Sequence, residues 1–279
     1  MSETLAILTE AEKLAKVADA IGQAYATELG RVLRDLEREL RRLVLEANAG
    51  SLTALARAVR AAKLRREIQK ALEAAGFSDL TETATSASLD RLVEQMGKLR
   101  GAAKLAAFTT SDQTRILALK EIARLDLLGA GEELSHALWR TLAQGLYSQR
   151  KVVDLLEDLS DAVDVEASRL QTLYDTTVSV FGRQVEAMKS TPEDVFAYIG
   201  PVAEKLRPFC RAHVGKVYTR PEIDALDNGQ LPNTFLTAGG WNCRHIFQAV
   251  SKFSALQDLV GTEESSVAQC LVPGQNSTP

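Results

Sequence analysis

The stretch of sequence that decides the fold lies between Phe196 and Phe247 and reads FAYIGPVAEKLRPFCRAHVGKVYTRPEIDALDNGQLPNTFLTAGGWNCRHIF. All 7 prolines of the chain lie beyond residue 191, and two of the 3 cysteines lie inside this stretch. Proline lacks the backbone N–H that an α-helix needs and clashes with the preceding turn, so it ends a helix. The sequence therefore predicts long helices before residue 191 and a different, compact module after it.

The composition restricts the class of the protein. Of the 279 residues 46% are apolar but only 5% are aromatic, and alanine and leucine are abundant, which favours packed helices. The net charge of −4 argues against a protein whose main task is to coat nucleic acid. No apolar run approaches the roughly 20 residues that span a bilayer, and the N-terminus has no secretory pattern. We expect a mainly α chain made in a reducing cytoplasm, without membrane contact.

Long helices are predicted for the region 1–190. A capping box at Thr9 and Glu12 precedes apolar residues that recur at three- and four-residue steps as far as Leu43, and the pattern ends near Gly50. A helix of this length needs a partner helix, from this chain or from another copy. Further helices are predicted at 51–75, 88–108, 110–128 and 131–146, followed by a short and a longer one up to residue 189. We interpret 1–190 as a helical assembly region.

A group of basic residues in the second helix has the spacing of a helix face. Such a stripe could contact phosphates. The alternative, that it is the solvated face of the helix, is the more common situation. The residues of this basic stripe are Arg57, Arg60, Lys63, Arg66 and Lys70.

Two other polar groupings are interpreted as structure. His136 and Trp139 can share a helix face, and a lone histidine beside a tryptophan usually packs. The carboxylates between Asp154 and Glu166 have no accompanying histidine and no calcium-loop spacing, so we interpret them as a solvated acidic connection between two helices.

The region 191–260 is predicted to be a small α+β module, and 261–279 an extended tail. Residues 196–200 and 215–218 have strand patterns, and Thr219 with Glu222 forms a second capping box that opens a brief helix. The tail is polar and without helical periodicity, so it would be ordered by a neighbouring chain.

The module contains a candidate zinc site. Cys210-x2-His213 and Cys243-x-His245 supply two thiolates and two imidazoles, a ligand set that suits tetrahedral zinc. Two alternatives remain open from the residues alone. The cysteines could be small buried hydrophobes with histidines that cap turns, or a cysteine and a histidine could form a nucleophile pair, although no orienting third residue can be named.

The same stretch closely resembles the C-terminal module of the phage Mu F-like family, the minor head (head morphogenesis) proteins of tailed bacteriophages. The resemblance covers roughly a fifth of the chain and departs conservatively at Ile199 and Trp241. It also departs at Ala203-Glu204-Lys205, where members of the family often carry an acidic residue before the arginine. The segments that carry it are Tyr198-Ile199-Gly200-Pro201, Arg207–Cys210, Gly215-Lys216, Thr219–Ile223, Asn228–Gln230 and Gly239–His245.

The resemblance implies a structural virion protein, present in few copies at the portal vertex inside the head, that serves head assembly, DNA packaging or ejection. Its expected partners are the portal protein and capsid subunits, with self-association through the long helices and nonspecific contact with packaged DNA. Cys210, His213, Cys243, Arg244 and His245 are then the signature positions. One alternative is a metal-dependent enzyme, nuclease or toxin-like, built on the Cys/His cluster. Another is a plain zinc-stabilised binding module.

Overall fold

The chain is mainly α-helical, with a small three-stranded sheet near its C-terminal end, as predicted. The structure, a computed structural model, describes residues 3–48, 54–191, 193–201 and 206–250. The predicted tail 261–279 lies outside these residues. Among the residues described, none of the helices combines the length and apolarity of a membrane-crossing segment.

Six helices precede the sheet in the described residues. They are α1 (Glu3–Asn48), α2 (Ala54–Ala74), α3 (Phe77–Thr85), α4 (Ala87–Ala102), α5 (Thr110–Tyr147) and α6 (Val152–Ala187). Helix α1 was predicted except for its start, which lies at Glu3 and not at the predicted capping box of Thr9, whose hydroxyl donates to the carbonyl of Leu5 within the helix. Helix α3 was not predicted. It follows Gly76, whose φ of 90° gives the left-handed turn that separates α2 from α3.

Helices α5 and α6 correct two predicted breaks. The glycines near residue 130 were interpreted as a break, but a glycine in a helix costs only about 1 kcal/mol. Leu127, Leu134 and Leu138 on either side are completely buried, and each buried leucine contributes about 1.5–3 kcal/mol. The acidic residues 154–166 likewise lie within the continuous helix α6 rather than in a connection between helices.

The helical part divides between two compact units. One unit comprises Ile21–Ala87 and Glu121–Tyr174. In it the rings of Tyr25 and Tyr174 stack at a centroid distance of 3.8 Å. The indole of Trp139 donates to the carbonyl oxygen of Ala61 at 2.9 Å, which agrees with a packing role for this tryptophan. The apolar row of α1 in this unit is buried within the chain itself, with Leu36 and Leu40 fully covered.

The other unit comprises Met1–Ala20, Ser88–Lys120 and the described part of Asp175–Pro279, and it contains the sheet. Strands β1 (Val195–Ile199), β2 (Val217–Thr219) and β3 (Ile246–Val250) have the order β2-β1-β3, and both pairings are antiparallel. Strand β1 is central, with Phe196 opposite Tyr218 on β2 and opposite Ala249 on β3. The two predicted strand segments are therefore confirmed.

Three short helices complete this unit around the sheet: α7 (Pro208–His213), α8 (Arg220–Asp224) and α9 (Thr234–Thr237). The predicted capping box at α8 is present: the Thr219 side chain accepts from the backbone N–H of Glu222, and the backbone N–H of Thr219 donates to the Glu222 carboxylate at 2.7 Å. This reciprocal cap fixes the start of α8 directly after β2.

A buried ion pair joins the sheet to the helices of its own unit. Arg100 on α4 donates to Glu186 near the end of α6 at 2.8 Å, and both side chains are almost fully buried. The other oxygen of Glu186 accepts from the side chain of Gln248 and from the backbone N–H of Ala249 on β3. The carboxylate therefore holds α4, α6 and β3 in one arrangement.

Candidate metal centre

Three of the four predicted zinc ligands converge in one buried cluster. The side chains are those of Cys210, Cys243 and His245, and their ligand atoms all lie within 4.8 Å of one another. The two sulfurs are 3.7 Å apart, and Nδ1 of His245 lies 3.7 Å from the sulfur of Cys243. Each residue is at most 5% exposed. This group could hold a metal ion.

Local backbone structure brings the two cysteines together. Cys210 lies on α7, which begins at Pro208, a residue suited to the first helical position because its missing N–H would have no partner there. Cys243 follows a turn in which Gly240 and Asn242 both have left-handed φ values, 90° and 54°. In the same turn the backbone N–H of Gly239 donates to the sulfur of Cys243 at 3.2 Å. Cys243 and His245 lie just before β3 rather than on a strand.

Two glycines leave no room for side chains beside the cluster. A Cβ on Gly239 would lie 2.4 Å from the sulfur of Cys210 and 3.1 Å from that of Cys243. A Cβ on Gly200 would lie 2.8 Å from the backbone Cα of His245. Neither contact is compatible with van der Waals packing. The cluster therefore requires glycine at both positions.

A fourth polar group belongs to the cluster, and the ligand set proposed from the sequence did not include it. The hydroxyl of Tyr198 on β1 lies 3.4 Å from the sulfur of Cys210 and 3.7 Å from that of Cys243. Its ring stacks on that of His245 at a centroid distance of 5.2 Å and an interplanar angle of 5°. Burial, more than the nearby thiols, raises the pKa of Tyr198 far above its ordinary value. In the sequence, Tyr198 is recognisable only as part of a predicted strand, and a strand pattern does not indicate that a residue binds a metal.

His213 does not join the cluster. It is the last residue of α7, where its ring packs 4.3 Å from that of Phe209 and its Nδ1 lies 2.5 Å from the hydroxyl of Tyr218. Burial, and then the charge of Lys216, lower the pKa of His213. The two-cysteine, two-histidine set is thus reduced to two cysteines and one histidine.

A buried cation lies against the cluster. Arg183 on α6 is 3% exposed and donates to the backbone carbonyls of Leu236, Cys243 and His245. Among the ion pairs of the described residues none involves Arg183, so no carboxylate balances its charge there. Nothing in the sequence singled out this arginine, because its role depends on three carbonyls more than 50 positions away.

The two thiols differ in acidity. A hydrogen bond from Cys210, supported by His245 and by the charge of Arg183, lowers the pKa of Cys243 far below its ordinary value. The same hydrogen bond, together with burial, raises the pKa of Cys210. The cluster therefore already favours one thiolate, the form in which cysteine binds metals.

The signature arginine Arg244 points away from the cluster toward two carboxylates. It lies 2.7 Å from a carboxylate oxygen of Asp19 and 3.2 Å from one of Asp175, and it also donates to the hydroxyl of Ser179. These contacts tie the segment between Cys243 and His245 to α1 and α6 within the same unit.

The basic stripe lies on the second helix as predicted. Lys63, Arg66 and Lys70 are exposed, whereas Arg60 is half-buried and donates to the carbonyl of Glu46 at 3.5 Å. Arg57 lies on the same helix, but its side chain is outside the described residues. Contact between this stripe and nucleic acid remains a prediction.

Comparison with known proteins gives no relative from which a function could be taken. No protein-family profile, no curated protein and no solved structure matches this chain. A functional interpretation therefore depends on the geometry of the cluster and on the sequence resemblance of residues 196–247.

Proposed function

We propose that the chain is a non-enzymatic minor head protein of a tailed bacteriophage, located inside the capsid at the portal vertex. One observation supports this proposal: several residues of the Mu F-like resemblance converge in space. Tyr198, Gly200, Cys210, Gly239 and the Cys243–His245 segment lie far apart in the sequence, yet they surround one cluster. A resemblance that depended on composition alone would not select residues that meet in the fold.

The cluster is proposed to be a structural zinc site. Structural zinc sites are closed, whereas catalytic sites keep a position open for water or substrate. Here both sulfurs and the imidazole are buried, the backbone of Gly239 lies against the two sulfurs, and the hydroxyl of Tyr198 lies against both from β1. Zinc would tie α7 to the segment before β3, a useful tether because β2 and α9 have only 3 and 4 residues.

This closure disfavours the enzyme alternative. A metal-dependent nuclease needs a coordination position that substrate can reach. Incubation of the zinc-loaded chain with plasmid DNA is expected to leave the DNA intact. Cleavage that is lost in Cys243→Ser would revive the enzyme interpretation.

The helical part is proposed to provide the contacts with the portal, the capsid and sibling subunits. Support comes from exposed apolar side chains on the described helices, among them Leu117, Leu125 and Val165, each more than half exposed. The exposed lysines and arginine of α2 would contact packaged DNA through phosphates, so DNA binding should weaken steeply as salt is raised. Replacing Lys63, Arg66 and Lys70 with glutamate should abolish DNA binding.

The proposal is tested in particles. Heads would be purified from a culture that produces the phage encoding this chain, and the protein would be quantified against the portal protein by mass spectrometry. We expect a few copies per portal, and crosslinks to portal peptides. Absence from purified heads would contradict the proposed function, whereas a copy number near that of the major capsid protein would contradict the portal location.

A further inference from the structure

We infer that Tyr198, rather than His213, is the fourth ligand of the metal site, bound through its phenolate oxygen. The ligand set is then two cysteines, one histidine and one tyrosine, and it suits a divalent cation of the zinc type. This inference rests on the proposed metal site and specifies its ligands.

Four of the six distances that separate these four ligand atoms match the edges of a coordination tetrahedron. With zinc–sulfur bonds of about 2.3 Å and bonds of about 2.0–2.1 Å to nitrogen and oxygen, tetrahedral angles place two sulfurs about 3.8 Å apart. A sulfur lies about 3.6 Å from the nitrogen and about 3.5 Å from the oxygen in the same geometry. The observed separations are 3.7 Å between sulfurs, 3.7 Å from Cys243 sulfur to His245 Nδ1, and 3.4 and 3.7 Å from the Tyr198 oxygen to the two sulfurs.

The charge of the surroundings also selects a phenolate. Two thiolates cancel the charge of a divalent ion, and a neutral imidazole leaves that balance unchanged. A phenolate would give the centre one negative charge, and Arg183 supplies one positive charge, which no carboxylate balances within the described residues. A second imidazole in place of the phenolate would leave the buried arginine without a counter-charge, which is costly in an apolar interior.

The neighbours of each side chain agree with this assignment. The stacked rings of Tyr198 and His245 bring the tyrosine hydroxyl and the imidazole to the same side of the sheet. His213 already lies at hydrogen-bond distance from Tyr218 and would have to break that contact to turn inward. A hydroxyl buried between two sulfurs, with no other hydrogen-bond partner in the described residues, is well placed to ionise on a cation.

The test uses the full chain after removal of bound metal. The chain is titrated with Co²⁺, whose visible absorption spectrum depends on the ligands that bind it. Zn²⁺ is then added in competition to measure the zinc affinity. The variant is Tyr198→Phe, which keeps the ring and its stacking, and the matched control is His213→Ala. Circular dichroism confirms that each variant is folded before titration.

For the wild-type chain we expect one Co²⁺ with thiolate charge-transfer bands and intense tetrahedral d–d bands, and a phenolate difference band in the ultraviolet on zinc binding. Tyr198→Phe should keep the thiolate bands, lose the phenolate band, shift the d–d bands and bind Zn²⁺ at least ten times more weakly. His213→Ala should match the wild type.

Three results would count against the inference in distinguishable ways. If the wild-type chain takes up no Co²⁺ or Zn²⁺, the metal site of the proposed function fails as well. If Tyr198→Phe gives the wild-type spectrum and zinc affinity, the metal site stands but Tyr198 is not its ligand. If His213→Ala loses the spectrum, the fourth ligand is His213.

Discussion

Substituting alanine for Gly239 tests whether the Cys/His cluster is as tightly packed as the structure indicates. The new Cβ would lie 2.4 Å from the sulfur of Cys210, about 1 Å short of the 3.4 Å at which ordinary contact begins. It would also lie 3.1 Å from the sulfur of Cys243 and 3.5 Å from the hydroxyl of Tyr198. One methyl group therefore presses on both sulfurs proposed to bind the metal, and it touches the Tyr198 hydroxyl at an ordinary contact distance.

The expected cost is that of overpacking a buried site. Inserting a methylene into a well-packed core costs about 1–3 kcal/mol, and we expect Gly239→Ala to lower the free energy of unfolding of the metal-free chain by about that amount. A sulfur that moves by about 1 Å no longer fits the tetrahedron. Metal affinity should therefore fall on the order of tenfold or more.

Gly97→Ala is the matched control. Gly97 lies in the interior of α4, and no atom comes within 4 Å of its added Cβ. Alanine is favoured over glycine in a helix by roughly 0.5–1 kcal/mol, so the same substitution should stabilise the chain here and leave metal binding unchanged.

Urea denaturation followed by circular dichroism, with and without Zn²⁺, measures both variants. Opposite signs of the stability change, with metal binding lost only in Gly239→Ala, are expected. If Gly239→Ala is as stable as Gly97→Ala and retains wild-type zinc affinity, the packing argument for the cluster is refuted.

Three further predictions concern side chains near the sheet, two of which are buried charges. Arg183→Met should destabilise the chain by several kcal/mol in urea denaturation, because two buried carbonyls lose their donor at about 1–3 kcal/mol each and a partly buried one loses it as well. A loss below about 1 kcal/mol would contradict the burial of Arg183. Glu186→Gln should cost about 3–5 kcal/mol, because it leaves Arg100 buried without a counter-ion, and an unchanged urea midpoint would show that the ion pair is dispensable. Burial and the charge of Lys216 lower the pKa of His213 in the folded chain. The folded chain therefore binds a proton at His213 less readily than the unfolded chain, in which the histidine pKa is about 6.5. As the pH falls below that value, protonation of the unfolded chain lowers the free energy of unfolding. The free energy of unfolding should therefore decrease from pH 7 toward pH 5 in the wild type and less so in His213→Gln; equal pH dependence in the two proteins would exclude His213 as the cause.

Much of the fold follows from local patterns in the sequence. The apolar periodicity around Leu36 and Leu40 predicted α1, and the capping box of Thr219 and Glu222 predicted α8, because both signals depend only on residues a few positions apart. The predicted breaks within α5 and α6 also came from local patterns, and they were wrong. A local pattern contains no information about burial of residues such as Leu134, and that burial outweighs the cost of a nearby glycine.

The cluster shows a similar division between local and long-range information. Cysteine and histidine are recognisable ligand types, so Cys210, Cys243 and His245 could be proposed from the sequence. His213 was proposed because it follows Cys210 at a ligand-like spacing, yet its ring lies beside Tyr218, since α7 ends at His213 and β2 begins only four residues later. Tyr198 could not be found, since a tyrosine in a strand is ordinarily a core residue.

The sequence by itself determined the helical class, the change of architecture near residue 191 and three members of the cluster, because propensity, capping and ligand chemistry are properties of residues and their near neighbours. Only the tertiary structure decided which side chains meet. It placed Tyr198 of the central strand beside both sulfurs and Arg183 of α6 against the backbone of Cys243. Those contacts join residues 12 to 60 positions apart, and they depend on how β1, α6 and α7 pack, which no local pattern specifies.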